Sequence, residues 1–195
     1  MMTLDEYVLV YDDVVPEGLA TALLDEYRES NDWTSYDPEK GGVNDAATAI
    51  SISHPSVTGK GTRREQLGKQ VVQSLGKAFD RYHARFSRRE QGLNFLHIDK
   101  LVGLRLIRYE TGQFMKTHTD KYPDAESGNL SWPAVTFTIN LNEDFSGGEL
   151  SLLDGELVIK VKARQGIFFP ANFLFPHSVE KVTKGTRYAL VGWFL

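Results

Sequence analysis

The sequence predicts an α+β, mainly β fold in which two amphipathic helices brace an antiparallel β-sandwich or barrel. Two observations carry this expectation. Helical apolar spacing is confined to the first half of the 195 residues, whereas the second half runs through short β-branched and aromatic segments divided by turn residues. No helical segment interrupts those runs, which favours an antiparallel arrangement over a parallel doubly wound sheet. With 41% hydrophobic and 25% charged residues the chain holds apolar material for one core, so a single domain is expected. Its division is helical support over about 1–98 and a β core over about 99–195.

Taken in order, the apolar stretch YVLVYD leads to Pro16, suited to a first helical turn. Leu19, Ala20, Leu23, Leu24 and Tyr27 then keep one face apolar, which reads as a helix of about four turns. From Arg63 to Phe86 the same pattern returns in Leu67, Val71, Val72, Leu75, Phe79 and Tyr82, with Lys69, Gln73, Lys77 and Arg81 opposite. Between these helices, Ser35 to Ser56 is rich in Gly, Asp, Asn, Ser and Pro and holds one strand-like fragment, ATAISIS. It reads as an irregular surface excursion, a kind of segment that often carries binding. The β-half consists of LVGLRLIRY, AVTFTINL, ELSLL, LVIKVKA, GIFFP and RYALVGWFL, with turns at SGG, LDGE, ARQG and TKG.

Composition narrows the chemistry. The 22 Lys+Arg against 26 Asp+Glu give a formal net charge of -4, which disfavours a surface built to neutralise nucleic-acid phosphates. There are no cysteines, so disulfides, thiolate ligands and a cysteine nucleophile are excluded, and a metal must be held by His, Asp or Glu. The amino terminus carries acidic residues where a signal peptide carries basic ones, and no apolar run approaches a membrane span. A soluble, cytoplasmic protein is the expectation.

Five histidines are present. His54 and His83 have no partner at a useful spacing, and a solvated or satisfied structural role is expected for both. His118 and Asp120 form a His-x-Asp pair within KTHTDKY, while His97 and Asp99 form a rival pair that reads better as a polar pair at a strand entrance. In an extended strand a one-residue gap sends both side chains to one face. His177, in FPHSV of the same β-half, completes a 2-His-1-carboxylate set, which suits ferrous iron and leaves open coordination positions. Two neutral imidazoles and one carboxylate leave a ferrous site net positive, which a bidentate anionic cosubstrate such as 2-oxoglutarate would meet. The far carboxylate of that cosubstrate needs a cation, and Arg187, on the next β-run, has a planar fork suited to it.

At this point the chain resembles the iron(II) and 2-oxoglutarate-dependent dioxygenases, specifically their prolyl 4-hydroxylase-like branch. Within RYETGQFMKTHTD, Tyr109, Gly112, His118 and Asp120 match the family pattern Tyr-x2-Gly-x5-His-x-Asp. The rival pair fails it, because Arg88 and Gln91 stand at the corresponding places ahead of His97. The similarity continues through Gly147-Gly148-Glu149 and QGIFFP, and closes with His177, Val179, Gly185, Arg187 and Trp193. It covers about Leu101 to Leu195, while the helical half matches in layout alone.

The resemblance implies a double-stranded β-helix, a cupin-like jelly-roll with the metal at the mouth between two sheets. His118, Asp120 and His177 would hold Fe(II), Arg187 would pair with the C5 carboxylate of 2-oxoglutarate, and Tyr109 would lie beside both. Alternation in AVTFTINLN puts Thr136, Thr138 and Asn140 on one face; if it looks inward, as in the family, Thr138 and Asn140 line the cosubstrate pocket. Gly112, Gly147 and Gly148 read as residues of backbone geometry, and Trp193 as core. Dioxygen would be the second cosubstrate, with ascorbate admitted as an accessory cofactor. Because Asp120 keeps the carboxylate ligand, hydroxylation is implied rather than halogenation, with release of succinate and CO2.

By the same resemblance the substrate is a prolyl residue of a peptide or protein. The alternatives are a free amino acid or small metabolite, and a non-catalytic jelly-roll binding module, against which the intact triad and Arg187 argue. A nucleic-acid demethylase would carry Arg-x5-Arg, but Trp193 occupies the later place. The sequence departs from the family pattern at Asn140, where several relatives have a tyrosine; at Met115, where an aromatic is usual; and near Trp132-Pro133, where some carry an arginine. Specificity is assigned to residues 35–62 and 121–132, and Trp33 and Trp132 each lie in or next to a long irregular segment that could close over the site.

Overall fold

In the computed structural model, residues 3–36, 47–52, 59–86, 98, 100–123 and 130–195 are described. In chain order the elements are β1 (Leu9–Tyr11), α1 (Glu17–Tyr27), β2 (Thr34–Ser35), β3 (Ala47–Ser51) and α2 (Arg63–Phe86). The β-half then supplies β4 (Leu101–Tyr109), β5 (Met115–His118), β6 (Tyr122–Pro123), β7 (Leu130–Ser131), β8 (Val135–Asn140), β9 (Ser146–Gly147) and β10 (Leu150–Leu152). It ends with β11 (Leu157–Ile159), β12 (Gly166–Pro170), β13 (His177–Val179), β14 (Val182–Lys184) and β15 (Arg187–Phe194).

A major sheet of seven strands, in the order β1-β12-β8-β15-β4-β3-β2, faces a minor sheet of four, β11-β10-β13-β5, and every pairing is antiparallel. This is the jelly-roll form of the double-stranded β-helix. Three strands of the major sheet, β1, β2 and β3, come from the amino-terminal half, so that half builds sheet edges as well as supporting helices. Among the described residues no helix is long and apolar enough to cross a membrane.

Two apolar clusters lie on opposite sides of the major sheet. On the helix side, Leu19, Leu23, Val71, Leu75 and Phe79 pack against Leu104, Leu106, Phe137, Ile139 and Leu190. Phe79 and Phe194 stack there with ring centroids 4.0 Å apart. Between the sheets, Met115, Leu150, Leu152, Ile167, Phe169 and Val179 form the second cluster. Coverage on both faces explains why all of β8 is buried although it alternates apolar and polar residues.

Several details differ from the sequence expectations. Helix α1 has 11 residues, closer to three turns than four. It stops where Ser30 and Asp32 offer local side-chain bonds: the Ser30 hydroxyl donates to Asp32 at 2.9 Å and accepts from the Asp32 amide at 3.2 Å. Arg64 then ties α2 to this end by donating to Glu26 at 2.8 Å and to Asp32. Val72, placed by spacing on the apolar face of α2, is 43% exposed. His83 packs beside Phe79, but its buried Nε2 finds no hydrogen-bond partner among the described residues, contrary to a satisfied role. His54, His97 and Asp99 lie outside the described residues.

Two glycines of α2 test the packing of this helix on the sheet. A Cβ at Gly68 would stand 2.6 Å from the Ile52 carbonyl oxygen, whereas one at Gly76 would meet nothing within 4 Å. Gly68→Ala is expected to destabilise by about 1–3 kcal/mol, because a backbone atom cannot step aside. Gly76→Ala is expected to stabilise by about 0.5–1 kcal/mol by stiffening the unfolded chain and the helix. Urea unfolding of both variants measures the two signs.

Candidate metal centre

Three side chains converge at the mouth between the sheets. His118 closes β5 and His177 opens β13; these strands pair directly, with His177 opposite His118. Asp120 follows β5 by two residues, so local chain geometry brings it to the same place. One ligand atom from each of the three residues lies within 4.8 Å of the others, a group able to hold a metal ion. Asp120 Oδ1 is 3.6 Å from His118 Nε2, and Asp120 Oδ2 is 3.5 Å from His177 Nε2.

The surrounding contacts orient these donors. His118 Nδ1 lies 2.8 Å from the Lys116 carbonyl oxygen and His177 Nδ1 lies 3.2 Å from that of Phe175. A carbonyl oxygen can only accept, so Nδ1 carries the proton on each ring and Nε2 keeps its lone pair toward the centre. The Thr136 hydroxyl of β8 donates to Asp120 Oδ2 at 2.5 Å, fixing the carboxylate from the opposite sheet. Phe169 meets the His177 ring edge-on at 4.9 Å and shields that side from water.

The electrostatics suit a divalent cation. Burial pushes the His177 imidazole down, which favours the neutral form that a metal requires. Burial pushes the Asp120 carboxyl up, but His177, His118 and the Thr136 hydroxyl together outweigh it and hold the group well below the usual carboxylate range. The donor set is thus one ionised carboxylate and two imidazoles that present Nε2. No thiolate competes, since the chain has no cysteine. Two nitrogens and one oxygen carboxylate are ligands that fit ferrous iron.

A cation stands apart from this group on the same inner face. Arg187, the first residue of β15, is 1% exposed, and burial presses its guanidinium downward from its ordinary value. Its Nε donates to Asn140 Oδ1 at 2.9 Å and its Nη2 reaches the Thr138 hydroxyl at 3.4 Å. Asn140 in turn donates to the Val161 carbonyl at 3.0 Å, so it is held at both ends. Among the described residues no carboxylate forms an ion pair with Arg187; Glu149 acts on its charge only from farther away. At Gly148, which has φ +70°, a Cβ would come to 3.0 Å from Arg187 Cδ, so the Gly147-Gly148 turn leaves room for the arginine stem.

Tyr109 lies opposite Arg187 in the β4–β15 register, 1% exposed, with the guanidinium 5.3 Å from its ring centroid. Its hydroxyl approaches Met115 Sδ at 3.8 Å, so Met115 packs on this tyrosine. Thr136, Thr138 and Asn140 share the inner face, as alternation predicts; Asn140 and Thr138 reach Arg187, and Thr136 reaches Asp120. Trp33 does not approach the site. Its indole donates to the Tyr27 carbonyl at 2.9 Å and packs by Tyr188 and Arg108 on the helix side, because Thr34 and Ser35 carry the chain along the outer strand. Trp132 is 60% exposed, with Lys121 Nζ 5.5 Å from its ring centroid.

Comparison with known proteins agrees with this geometry. Residues 104–195 match the profile of the 2OG-Fe(II) oxygenase superfamily. A PKHD-type hydroxylase of Synechococcus sp. (strain JA-2-3B'a(2-13)) is 40% identical over 99 residues, 48% of this chain and 43% of that protein. The chain spans less than half the length of such relatives. Among solved structures, a Trichoplax adhaerens prolyl hydroxylase in complex with a hypoxia inducible factor peptide fragment aligns with TM-score 0.69 and 19% identity, covering 97% of this chain and 83% of that one. A Pseudomonas putida prolyl-4-hydroxylase aligns with TM-score 0.65 and 21% identity, covering 96% and 91%. At these identities the structural likeness establishes the fold.

Thr136 was not singled out as a site residue by the sequence, yet its hydroxyl orients the carboxylate. Thr136→Val, which keeps the shape and removes the donor, is expected to lower Fe(II) affinity by about 10–100-fold in an anaerobic titration. An unchanged affinity would remove Thr136 from the site.

Proposed function

Because residues 104–195 match the profile of the 2OG-Fe(II) oxygenase superfamily, we propose that the chain is a 2-oxoglutarate-dependent dioxygenase of prolyl 4-hydroxylase-like type, acting on a prolyl residue of a peptide or protein. The observation that carries this reading is the pairing of a convergent His-Asp-His set with a buried arginine that has no carboxylate partner among the described residues. A divalent ion held by His118, Asp120 and His177 keeps one net positive charge, and Arg187 adds another at a distance. A dianionic dicarboxylate matches both.

When bound, the iron would supply the centre at which 2-oxoglutarate and dioxygen react to give succinate, CO2 and a hydroxylated substrate. The protein's own contribution is positioning. His118 and His177 would present Nε2 while their Nδ1–H groups stay bonded to backbone carbonyls. Asp120 would use the oxygen capacity left after its bond from Thr136. Arg187, held by Asn140 and Thr138, would clamp the far carboxylate of 2-oxoglutarate with little reorganisation. Tyr109, whose hydroxyl is pushed up by burial with Arg187 partly opposing, would remain protonated and serve as a neutral wall of that pocket. Ascorbate belongs to the same reading as an accessory reductant.

The runner-up substrate is a free amino acid or small metabolite. Succinate release measured in parallel against proline-containing peptides and free amino acids separates the two. Anaerobic Fe(II) with 2-oxoglutarate is expected to give a weak visible charge-transfer band that His118→Ala abolishes and His97→Ala leaves in place. A folded wild-type protein with no band would end the dioxygenase reading. Arg187→Met is expected to raise the apparent KM for 2-oxoglutarate by about 10–100-fold with a smaller effect on iron affinity, the loss of a charge-assisted pair. An unchanged KM would remove Arg187 from this role.

A further inference from the structure

A second arginine faces the inner side of the major sheet. Parity along β4 places Arg105 with Ile107 and Tyr109 toward the minor sheet, while Leu104 and Leu106 face the helices. Its guanidinium carbon lies 5.0 Å from the ring centroid of Tyr36 and 5.0 Å from that of Trp193. The planar group is therefore clamped between two aromatic rings, which holds its orientation. Its Nε donates to the Gly103 carbonyl at 2.9 Å. No carboxylate among the described residues forms an ion pair with it; its contacts are a backbone carbonyl and neutral rings.

The approach of these side chains is built into the backbone. The β4–β15 register shifts between Val191 and Trp193, where Arg105 and Val102 are the successive partners, so β4 carries one extra residue there. Gly103 sits in this bulge with φ +62°, and a Cβ on it would come within 2.4 Å of the Trp193 ring. Glycine is what lets the indole lie flat over the strand and meet Arg105.

The clamp lies on the substrate side of the metal. Along β8, Asn140 and Thr138 touch Arg187, and Thr136 touches Asp120, so the direction from Asn140 to Thr136 runs from the cosubstrate cation to the metal ligands. Trp193 pairs with Thr136 at the far end of that line. Arg105 itself stands opposite Val191, two strands from Thr138, and its guanidinium reaches back over Trp193, the residue that pairs with Thr136. Cosubstrate would fill the interval between Arg187 and the metal, which leaves the Arg105 end for the molecule being oxidised.

We propose that the clamped Arg105 binds a carboxylate of the substrate and so selects acidic molecules for oxidation. The inference rests on the dioxygenase reading and names the charge of its substrate. The carboxylate could be the α-carboxylate of a free amino acid or the side chain of an acidic residue beside the target in a peptide; both present the same planar anion to the same planar fork.

Matched acid and amide probes test this on the full chain with Fe(II) and 2-oxoglutarate. One pair is a proline-containing peptide with Glu or Gln beside the proline, and the other is free proline and prolinamide. Succinate release gives kcat/KM for each, and anaerobic tryptophan fluorescence titration gives binding without turnover. The wild type is expected to favour the acid member of one pair by about tenfold or more, and the pair that shows it identifies the source of the carboxylate. Arg105→Gln should bring that ratio to about one, and Arg105→Lys, lacking the fork, should restore only part of it. Arg105→Met fills the same slot between the rings and gives the same answer if the Gln variant folds poorly. Equal handling of acid and amide by the wild type in both measurements overturns the proposal, as does a ratio that survives Arg105→Gln. The charge-transfer band separates the two ideas: its presence with equal acid and amide handling overturns the Arg105 assignment alone, whereas its absence from folded wild type overturns the metal reading and this inference with it.

Discussion

The bond from Thr136 to Asp120 is the contact on which the site depends. It joins the interior strand β8 of the major sheet to the chain leaving β5 of the minor sheet, across the space where the two sheets open. Asp120 is 6% exposed and faces both imidazoles, so three ligand groups converge where a cation would meet its charge. Without that convergence an ionised carboxylate in this position would be costly, by several kcal/mol. With it, the carboxylate is fixed and ionised, and each histidine is turned by its own backbone carbonyl to present the same nitrogen.

Around this contact the fold separates support from chemistry by strand parity. On β15, Tyr188, Leu190 and Phe194 pack toward the helices while Arg187 and Trp193 face the minor sheet. On β8, Val135, Phe137 and Ile139 do the first and Thr136, Thr138 and Asn140 the second. The helices thus stabilise the very strands that aim the polar groups. A buried arginine without an ion-pair partner among the described residues is an expensive feature in a folded protein, and it persists because its hydrogen bonds to Asn140 and Thr138 over-determine it, as bonds to backbone carbonyls do for the two histidine rings.

Much of this was legible in the chain. The long strands LVGLRLIRY and GIFFP and the helix Arg63–Phe86 follow from unbroken periodicity, and the structure has them with those bounds. Strands β5 and β13 were harder, because MKTH and HSV are three or four residues long and polar, with no apolar run to mark them. Their pairing is a long-range event that no local pattern records; the histidines could be connected beforehand only through spacing shared with a known family. Arg105 could have been found by parity, since it lies two strand periods from Tyr109 on the same face of an otherwise apolar strand. Tyr36 had no such signal, being at the edge of an irregular segment. Trp33 gave no signal for a related reason: proximity to that segment said nothing about which side of the sheet the indole would take.

The bulge at Gly103 has a wider meaning. Upstream of it Val102 shares a cluster with Trp193 and Ala171, and downstream Arg105, Ile107 and Tyr109 share the inner face, so a single extra residue reverses the phase of the strand between them. Which side chains greet an incoming molecule is therefore set by a count along the chain rather than by any contact strength. A lineage that lost one residue there and slipped the register of the strand on one side of the bulge would turn a different row of side chains toward the pocket, so new specificity would come from a deletion rather than from substitution.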